Sequence, residues 1–287
     1  MGFSIKELTY KGQYLLYLTE QEYAGPWFGF KIRGEEIGTI PVLLKNIEPT
    51  PIYKLINSRK GTYVDRITLD FDIKEYLKKL VKNGKLKSIE CSREDLCIRL
   101  YIDVFNKPKV PYINTFFTFK NLSEYDLIDF NIYFIFDFDI RGLEGFDNDL
   151  AGYDEENDII YQYDATNLYG GFSPISKATN YESCLTNDFS INNNKMNLAN
   201  TLPKEPGEIL SALQIEFKTL EPEQTFQTAL TISGGLSQQE LIQNIQKGKS
   251  NSIKYLDQVN RNVKSETRNL QQEAFSKLNL QEAQDCD

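Results

Sequence analysis

The chain has 287 residues, with 32 basic side chains, 41 acidic side chains and no histidine. The absence of histidine excludes Ser–His–Asp and Cys–His catalytic sites, imidazole general bases and histidine-containing zinc sites. The formal net charge of −9 disfavours nucleic acid and anionic membrane as the main partner.

The first half of the chain predicts short β-strands set between Gly, Pro and charged turns. Aromatic side chains make up 13% of the residues, and aromatic and β-branched runs favour sheets over helical bundles. The predicted strands are Gln13–Leu18, Phe28–Arg33, Thr62–Phe71, Leu96–Phe105 and Tyr112–Phe119. One helix is predicted over 73–81, because apolar residues recur there at helical spacing before Asn83 and Gly84 end the pattern.

The longest predicted strand is Asp126–Asp139. Phenylalanines alternate along it from Phe130 to Phe138, while Tyr133 and Ile135 add apolar character to the opposite face. A strand that is apolar on both faces is typical of the interior of a fold with two packed layers. We therefore expect this strand to be buried on both faces.

A late hairpin completes the predicted β region. Ile209–Lys218 and Gln224–Ile232 are β-rich runs separated by Leu220-Glu221-Pro222-Glu223, which reads as a turn. Strands at regular spacing with turn signals between them predict a mainly β fold, namely a large antiparallel β-sandwich over residues 1–235.

The composition changes at Gly234-Gly235, and residues 236–287 predict a separate helical tail. Ser237 to Glu240 reads as a capping box that opens a helix, and a second helix is predicted from Ser252 toward Leu280. The proposed interaction stripe of the second helix is Leu256, Val259, Val263 and Leu270. Such a narrow stripe would dock on the sandwich, pair with another protein or a second copy, or belong to a partly disordered tail.

Several motifs between Tyr112 and Asp164 carry a family pattern. They are the strand end Asn121-Leu122-Ser123, the strand Asp137-Phe138-Asp139-Ile140, the strand Ala151-Gly152-Tyr153-Asp154 after a Gly/Asp-rich loop, and the strand Ile159-Ile160-Tyr161. Together they resemble the N-terminal β-sandwich domain, of the supersandwich type, in prokaryotic glucoamylase-type enzymes of glycoside hydrolase family 15. The later segment 213–224 is similar to the closing hairpin of that domain.

The resemblance implies a function without catalysis. In that family a separate (α/α)6 barrel carries a pair of catalytic glutamates, and this sequence stops about where the barrel would begin. The resemblance therefore implies a non-enzymatic scaffold or interaction module that needs no cofactor and acts through protein contacts or self-association. The alternative is a protein that binds carbohydrate, with α-glucan as the implied ligand.

Aromatic residues supply the candidate carbohydrate-binding positions. These are Trp27, Tyr161, Tyr163, Tyr169 and Phe172. The run from Tyr169 to Pro174 contains two glycines and predicts an exposed loop on which a sugar ring would stack. The alternative is that these aromatic side chains belong to the core, as most do in a chain of this composition.

Acidic residues are concentrated between Asp137 and Asp158, a segment that contains nine carboxylates and a single basic residue, Arg141. Alternating Asp, Asn and Gly would suit Ca²⁺, although the spacing is not that of an EF-hand, and the alternative is a solvated loop. Asp137 and Asp139 would lie about 6–7 Å apart on one side of a strand. They are the basis of a weaker alternative, a carboxylate-based glycosidase, which would need two carboxyl groups across a sugar.

The cysteines and the N-terminus predict a cytoplasmic protein. Cys91, Cys97, Cys184 and Cys286 match no zinc signature. Cys91 and Cys97 flank a predicted turn, where they would form either a cross-strand disulfide or two reduced thiols. The first residues lack an apolar secretory stretch, and no apolar run approaches the ~18 residues of a membrane span.

Overall fold

The fold is mainly β and is known from a computed structural model. The structure describes residues 7–17, 24–34, 38–43, 50–59, 62–83, 97–106, 110–191 and 196–260. The chain divides into two compact units, Met1–Lys249 and Ser250–Asp287. No helix in the described ranges is both long enough and apolar enough to cross a bilayer.

Fifteen strands, two α-helices and two short 3-10 turns, Gly142–Glu144 and Thr186–Asp188, lie in the described residues. The strands are β1 (Glu7–Tyr10), β2 (Gln13–Tyr17), β3 (Ala24–Gly34), β4 (Gly38–Leu43), β5 (Thr50–Arg59), β6 (Thr62–Asp72), β7 (Cys97–Asn106), β8 (Tyr112–Asn121), β9 (Asp126–Asp137), β10 (Leu150–Asp154), β11 (Ile159–Tyr163), β12 (Tyr169–Pro174), β13 (Asn180–Leu185), β14 (Ile209–Leu220) and β15 (Thr225–Gly235). Helix α1 spans Ile73–Lys82, and helix α2 spans 238–260. The predicted sandwich with a helical extension is confirmed.

Two antiparallel sheets form the sandwich. In the described part of the chain, the larger sheet has the order β10-β11-β12-β15-β8-β7-β6-β5 and the smaller has the order β13-β14-β9-β3-β4. Strands β1 and β2 form a separate hairpin. The two sheets bury a shared apolar core between them, which follows from the alternation of apolar residues along their strands.

Strand β9 lies at the centre of the smaller sheet and is buried on both faces, as predicted. Phe130, Phe134 and Phe136 point into the core between the sheets. Tyr133 and Ile135 pack on the opposite face with Met196 and its neighbours, so a second apolar layer covers the outside of the sheet. This explains why apolar residues occupy successive positions of the strand.

The predicted late hairpin is wrong. Strand β14 pairs with β9 in the smaller sheet, whereas β15 pairs with β8 and β12 in the larger sheet. The turn between them crosses from one sheet to the other. The side-chain amide of Asn121 holds this turn by donating to the carbonyl of Leu220 at 2.9 Å. The backbone N–H of Asn121 also donates to the carbonyl of Gln224 at 3.1 Å.

The predicted exposed loop from Tyr169 to Pro174 is also wrong, since it forms strand β12. Gly171 packs so closely that an added Cβ would lie 2.9 Å from the carbonyl oxygen of Ile160 and 3.1 Å from Leu241. The two glycines of this strand therefore permit close packing rather than a turn.

Helix α2 begins as predicted but continues further than predicted. Ser237 Oγ accepts from the amide of Glu240 at 3.1 Å, and the Glu240 carboxylate accepts from the amide of Leu236 at 2.8 Å. The helix runs without a break through Gly248. The sequence instead predicts that a separate second helix starts at Ser252. Its part up to Lys249 belongs to the first compact unit.

Candidate functional site

The β1–β2 hairpin forms one wall of a pocket, and a β-bulge decides which of its side chains face that pocket. Leu8 pairs with Leu16 and Thr9 pairs with Tyr14, so Leu15 is the extra residue of the bulge. Leu15 and Leu16 are both buried as a result, whereas Tyr14 is 37% exposed.

The hairpin sits in a fixed place on the sandwich. An added Cβ at Gly234 of β15 would lie 2.6 Å from the Tyr10 ring and 2.7 Å from Leu15, so glycine permits this close approach. The Tyr10 hydroxyl donates to Glu240 of α2 at 2.9 Å, and the ammonium of Lys11 donates to the same carboxylate at 2.8 Å. These contacts hold the hairpin against β15 and the first turn of α2, within the first compact unit.

A short 3-10 turn at Gly142–Glu144 forms the opposite wall. Arg141 and Gly142 precede and open it with φ values of 68° and 64°, in the left-handed region. The amide of Arg141 donates to the Tyr14 carbonyl at 2.9 Å, and the amide of Tyr17 lies 3.4 Å from an Asp139 oxygen. Backbone contacts therefore join the hairpin to the chain that leaves β9.

The pocket between these walls has a volume of about 470 Å³. Its lining residues are Gln13, Tyr14, Tyr17, Arg141, Leu143 and Glu144. The two tyrosine rings meet edge to face with centroids 4.8 Å apart, and Leu143 beside them is 76% exposed. The volume lies in the range of small-molecule sites, and the lining combines apolar faces with a few polar groups.

A cluster of buried carboxyl groups lies behind the pocket. Its members are Asp137, Asp139, Asp149 and Asp164, each less than a tenth exposed. The Nε of Arg141 lies 2.6 Å from Asp164 Oδ2, and Asp149 Oδ2 accepts from the amide of Ile140 at 3.2 Å. Arg141 therefore stands between the pocket and the buried acids.

Burial changes the acidity of two members of this cluster, Asp137 and Asp149. It raises the pKa of Asp137 to about 7, with further contributions from the charges of Asp139 and Glu208, while the hydrogen bond from Thr186 acts in the opposite direction. Burial also raises the pKa of Asp149 to about 9, aided by the neighbouring carboxylates. At neutral pH, Asp149 therefore carries a proton.

Gln162 makes the frame around the cluster rigid by joining the two sheets. Its amide nitrogen donates to the carbonyl of Ile209 at 2.7 Å and to Ser211 Oγ at 2.9 Å, both on β14. Its amide oxygen accepts from the amide of Phe138 at 3.1 Å, just beyond β9. A fully buried side chain with these partners fixes the end of β9 relative to β11.

Three of the predicted carbohydrate-binding residues come together elsewhere. Tyr163 and Tyr169 stack with centroids 5.1 Å apart, and Tyr161 lies 6.0 Å from each. This cluster packs against Leu241 and Ile245 of α2, so the helix covers part of it. The sugar-binding role of these tyrosines stays a prediction.

The other two predicted residues do not join that cluster. Phe172 is fully buried in the core, with its ring centroid 4.7 Å from that of Phe136, so it offers no face to solvent. Trp27 lies on β3 opposite Tyr133, and its side chain lies outside the described part of the structure.

The acidic segment does not form a uniformly solvated loop. Asp149 and Asp158 are buried, whereas Glu144 and Glu155 are exposed. Among the described residues, no group of three or more carboxylates or thiols is placed to hold a metal ion. Asp139 lies beyond the end of β9, so the two acids of the glycosidase alternative do not share the strand.

The predicted interaction stripe is described only in part. Leu256 and Val259 lie on α2 in the second unit and are half-buried, while Val263 and Leu270 lie outside the described residues. Cys91 and the side chain of Cys97 also lie outside them, so the disulfide alternative is untested. Cys184 is a free thiol.

Sequence reasoning missed the residues of the pocket. The segment over 13–18 reads as an ordinary strand, although Tyr14 and Tyr17 are three residues apart and cannot share a face of a regular strand. This three-residue spacing was the available signal for a bulge, because an extra residue between the two tyrosines brings both side chains to the same face of the strand. Arg141 gave no comparable signal, because its place depends on a left-handed backbone.

No family model and no curated protein matches the sequence. Among solved structures, a bacterial glucoamylase in complex with acarbose is 11% identical with a TM-score of 0.50, over 79% of this chain and 29% of that chain. A polysaccharide lyase is 13% identical with a TM-score of 0.45, over 83% of this chain and 31% of that chain.

A galactose mutarotase-like protein from Clostridium acetobutylicum is 9% identical with a TM-score of 0.42, over 78% of this chain and 86% of that chain. By contrast, the chain spans less than a third of the length of the glucoamylase. At these identities the likeness shows the fold alone. The fold is a β-sandwich of the kind that the glucoamylase contains.

Proposed function

We propose that this chain is a non-catalytic carbohydrate-binding β-sandwich module, whose ligand occupies the pocket between the β1–β2 hairpin and the 142–144 turn. The observation that carries the proposal is the pair of tyrosines, exposed Tyr14 and half-buried Tyr17, in a pocket of about 470 Å³ that also presents polar side chains. The likeness of the sandwich to one in a glucoamylase supports α-glucan as the first ligand to test.

The lining suits a sugar in two ways. The faces of Tyr14 and the exposed Leu143 would cover the apolar C–H face of a pyranose ring. Gln13, Arg141 and Glu144 supply amide, guanidinium and carboxylate groups, which together donate to and accept from ring hydroxyl groups. A wholly apolar ligand would leave these polar groups without partners.

The placement of the acids supports binding rather than hydrolysis. A glycosidase needs two carboxyl groups on opposite sides of the scissile bond. Glu144 is the acid that lines the pocket, whereas the buried acids lie behind Arg141 and Tyr17. A sugar in the pocket would therefore meet one carboxylate.

Isothermal titration with maltotriose, glycogen and a panel of other oligosaccharides tests this proposal. We expect binding by the wild-type chain, loss of at least tenfold in affinity for Tyr14→Ala, and little change for Tyr163→Ala in the separate tyrosine cluster. No binding to any sugar would refute the function, and loss of binding in Tyr163→Ala alone would refute its location. Release of reducing ends that Glu144→Gln abolishes would refute the non-catalytic role.

A second candidate function is protein interaction through α2. Ile253, Leu256 and Val259 recur at a spacing of three residues on the described part of the second unit, and Ile253 is 46% exposed. Sedimentation of the full chain at several concentrations, with the Leu256→Lys, Val259→Lys double variant as comparison, tests self-association. A monomer at every concentration for both chains would refute self-association through this stripe.

A further inference from the structure

We infer that the pocket between the β1–β2 hairpin and the 142–144 turn prefers a sugar that carries an amine over the neutral and acidic forms of the same ring. The inference rests on the proposed function, because it names the ligand class of the same pocket. It follows from how the charges around the pocket are paired.

The charge of the basic lining residue is already compensated. Arg141 is the basic residue that lines the pocket, and its Nε lies 2.6 Å from Asp164 Oδ2. The Asp164 side chain is almost fully buried, so water screens this pair weakly. Gly145 packs beside the guanidinium, where an added Cβ would lie 3.2 Å from Nε and from Nη2. The guanidinium is thereby held toward the buried acid.

The remaining charge at the pocket is negative. Glu144 lines the pocket and is exposed, and no ion pair involving it occurs among the described residues. The carboxylate of Glu144 therefore faces a ligand, whereas the basic residue of the lining is already paired with Asp164, so the field inside the pocket favours a positive group.

The expected preference is modest because the pocket is open to water. An exposed carboxylate and an ammonium group contribute roughly a twofold to fivefold gain in affinity. A carboxylate on the sugar would lose a similar factor through repulsion. Both effects should shrink as salt is added, because the Debye length falls to about 3 Å at 1 M.

The experiment compares the methyl α-glycosides of glucosamine, glucose and glucuronic acid, titrated into the full chain with detection by NMR. The measurements are made at about pH 6, below the pKa of about 7.7 of an α-amino group, whose nitrogen likewise lies beside an electron-withdrawing carbon, so that the amine is protonated. We expect dissociation constants that rise from the amine to the neutral sugar to the acid. Glu144→Gln should bring the amine-to-neutral ratio close to one, whereas Asp147→Asn, an exposed acid outside the lining, should leave the ratio as it is.

The outcomes separate this inference from the proposed function. Equal dissociation constants for the three sugars, or tighter binding of glucuronide, would overturn the inference and leave carbohydrate binding intact. An amine preference that survives both Glu144→Gln and high salt would also overturn it. Failure of all three sugars, together with failure of the oligosaccharide panel, would instead refute the function itself.

Discussion

Replacing Asp137 with asparagine should stabilise the protein at neutral and alkaline pH. Asp137 lies at the end of β9 and is almost fully buried, and burial together with nearby acids raises its pKa from 3.8 to about 7. The folded state therefore holds a proton that the unfolded chain releases above pH 3.8. Stability falls as the pH rises from the unfolded to the folded pKa, and then stays level.

The shift sets the size of the effect. A rise from 3.8 to about 7 is about 3 pKa units, which at 1.36 kcal/mol per unit gives about 4 kcal/mol. Local relaxation and entry of water reduce such penalties, so we expect Asp137→Asn to raise the free energy of unfolding by roughly 2–4 kcal/mol above pH 7. Near pH 4 the variant should gain little, because the wild-type carboxyl is protonated in both states.

Urea unfolding at half-unit steps between pH 4 and 8.5 would measure this difference. The matched control is Asp147→Asn, which removes an exposed carboxylate a short distance along the chain and should follow the wild-type profile. The wild-type profile should fall more steeply than that of Asp137→Asn by up to about 1.36 kcal/mol per pH unit in the window. Parallel profiles would show that the buried carboxyl does not hold its proton, and the reasoning would be refuted.

Three further predictions concern the frame that holds the pocket. Gly234→Ala places a Cβ 2.6 Å from the Tyr10 ring, so we expect a loss of about 1–3 kcal/mol in unfolding experiments and weaker sugar binding; unchanged binding would contradict this. Gln162→Met leaves the Phe138 amide without its partner, and chemical unfolding should show a loss of about 1–3 kcal/mol; a neutral result would mean that water replaces it. Lys249→Met removes two hydrogen bonds that anchor α2, so amide exchange over 241–249 should accelerate, and unchanged protection would refute the anchor.

Local patterns identified most elements of the sandwich. The long strand predicted over 126–139 is β9, and the helix predicted over 73–81 is α1, because apolar periodicity and turn residues act within a few positions. The pairing of strands did not follow from the same signals. Strands β14 and β15 flank a good turn, yet each pairs in a different sheet, because the long-range partners β9 and β8 outweigh the local turn.

The glycines of β12 show a second limit of local reasoning. Gly170 and Gly171 suggest a loop when only their own segment is considered. In the structure, Gly171 is required by its neighbours, since the Ile160 carbonyl and the Leu241 side chain lie too close for a Cβ. One neighbour belongs to the adjacent strand and the other lies about 70 residues further along the chain in α2. The need for glycine is therefore set by tertiary packing.

The chemistry of the acids argues for testing the pocket before the buried cluster. Perturbed pKa values often mark functional sites, and here the raised values belong to Asp137 and Asp149. Both are almost fully buried and neither lines the pocket, so a ligand in the pocket would not touch them. Their protonation instead affects the stability of the frame that positions Tyr14 and Glu144. Variants of Asp137 should therefore change stability with pH, whereas variants of Tyr14 and Glu144 should change which sugar binds and how tightly.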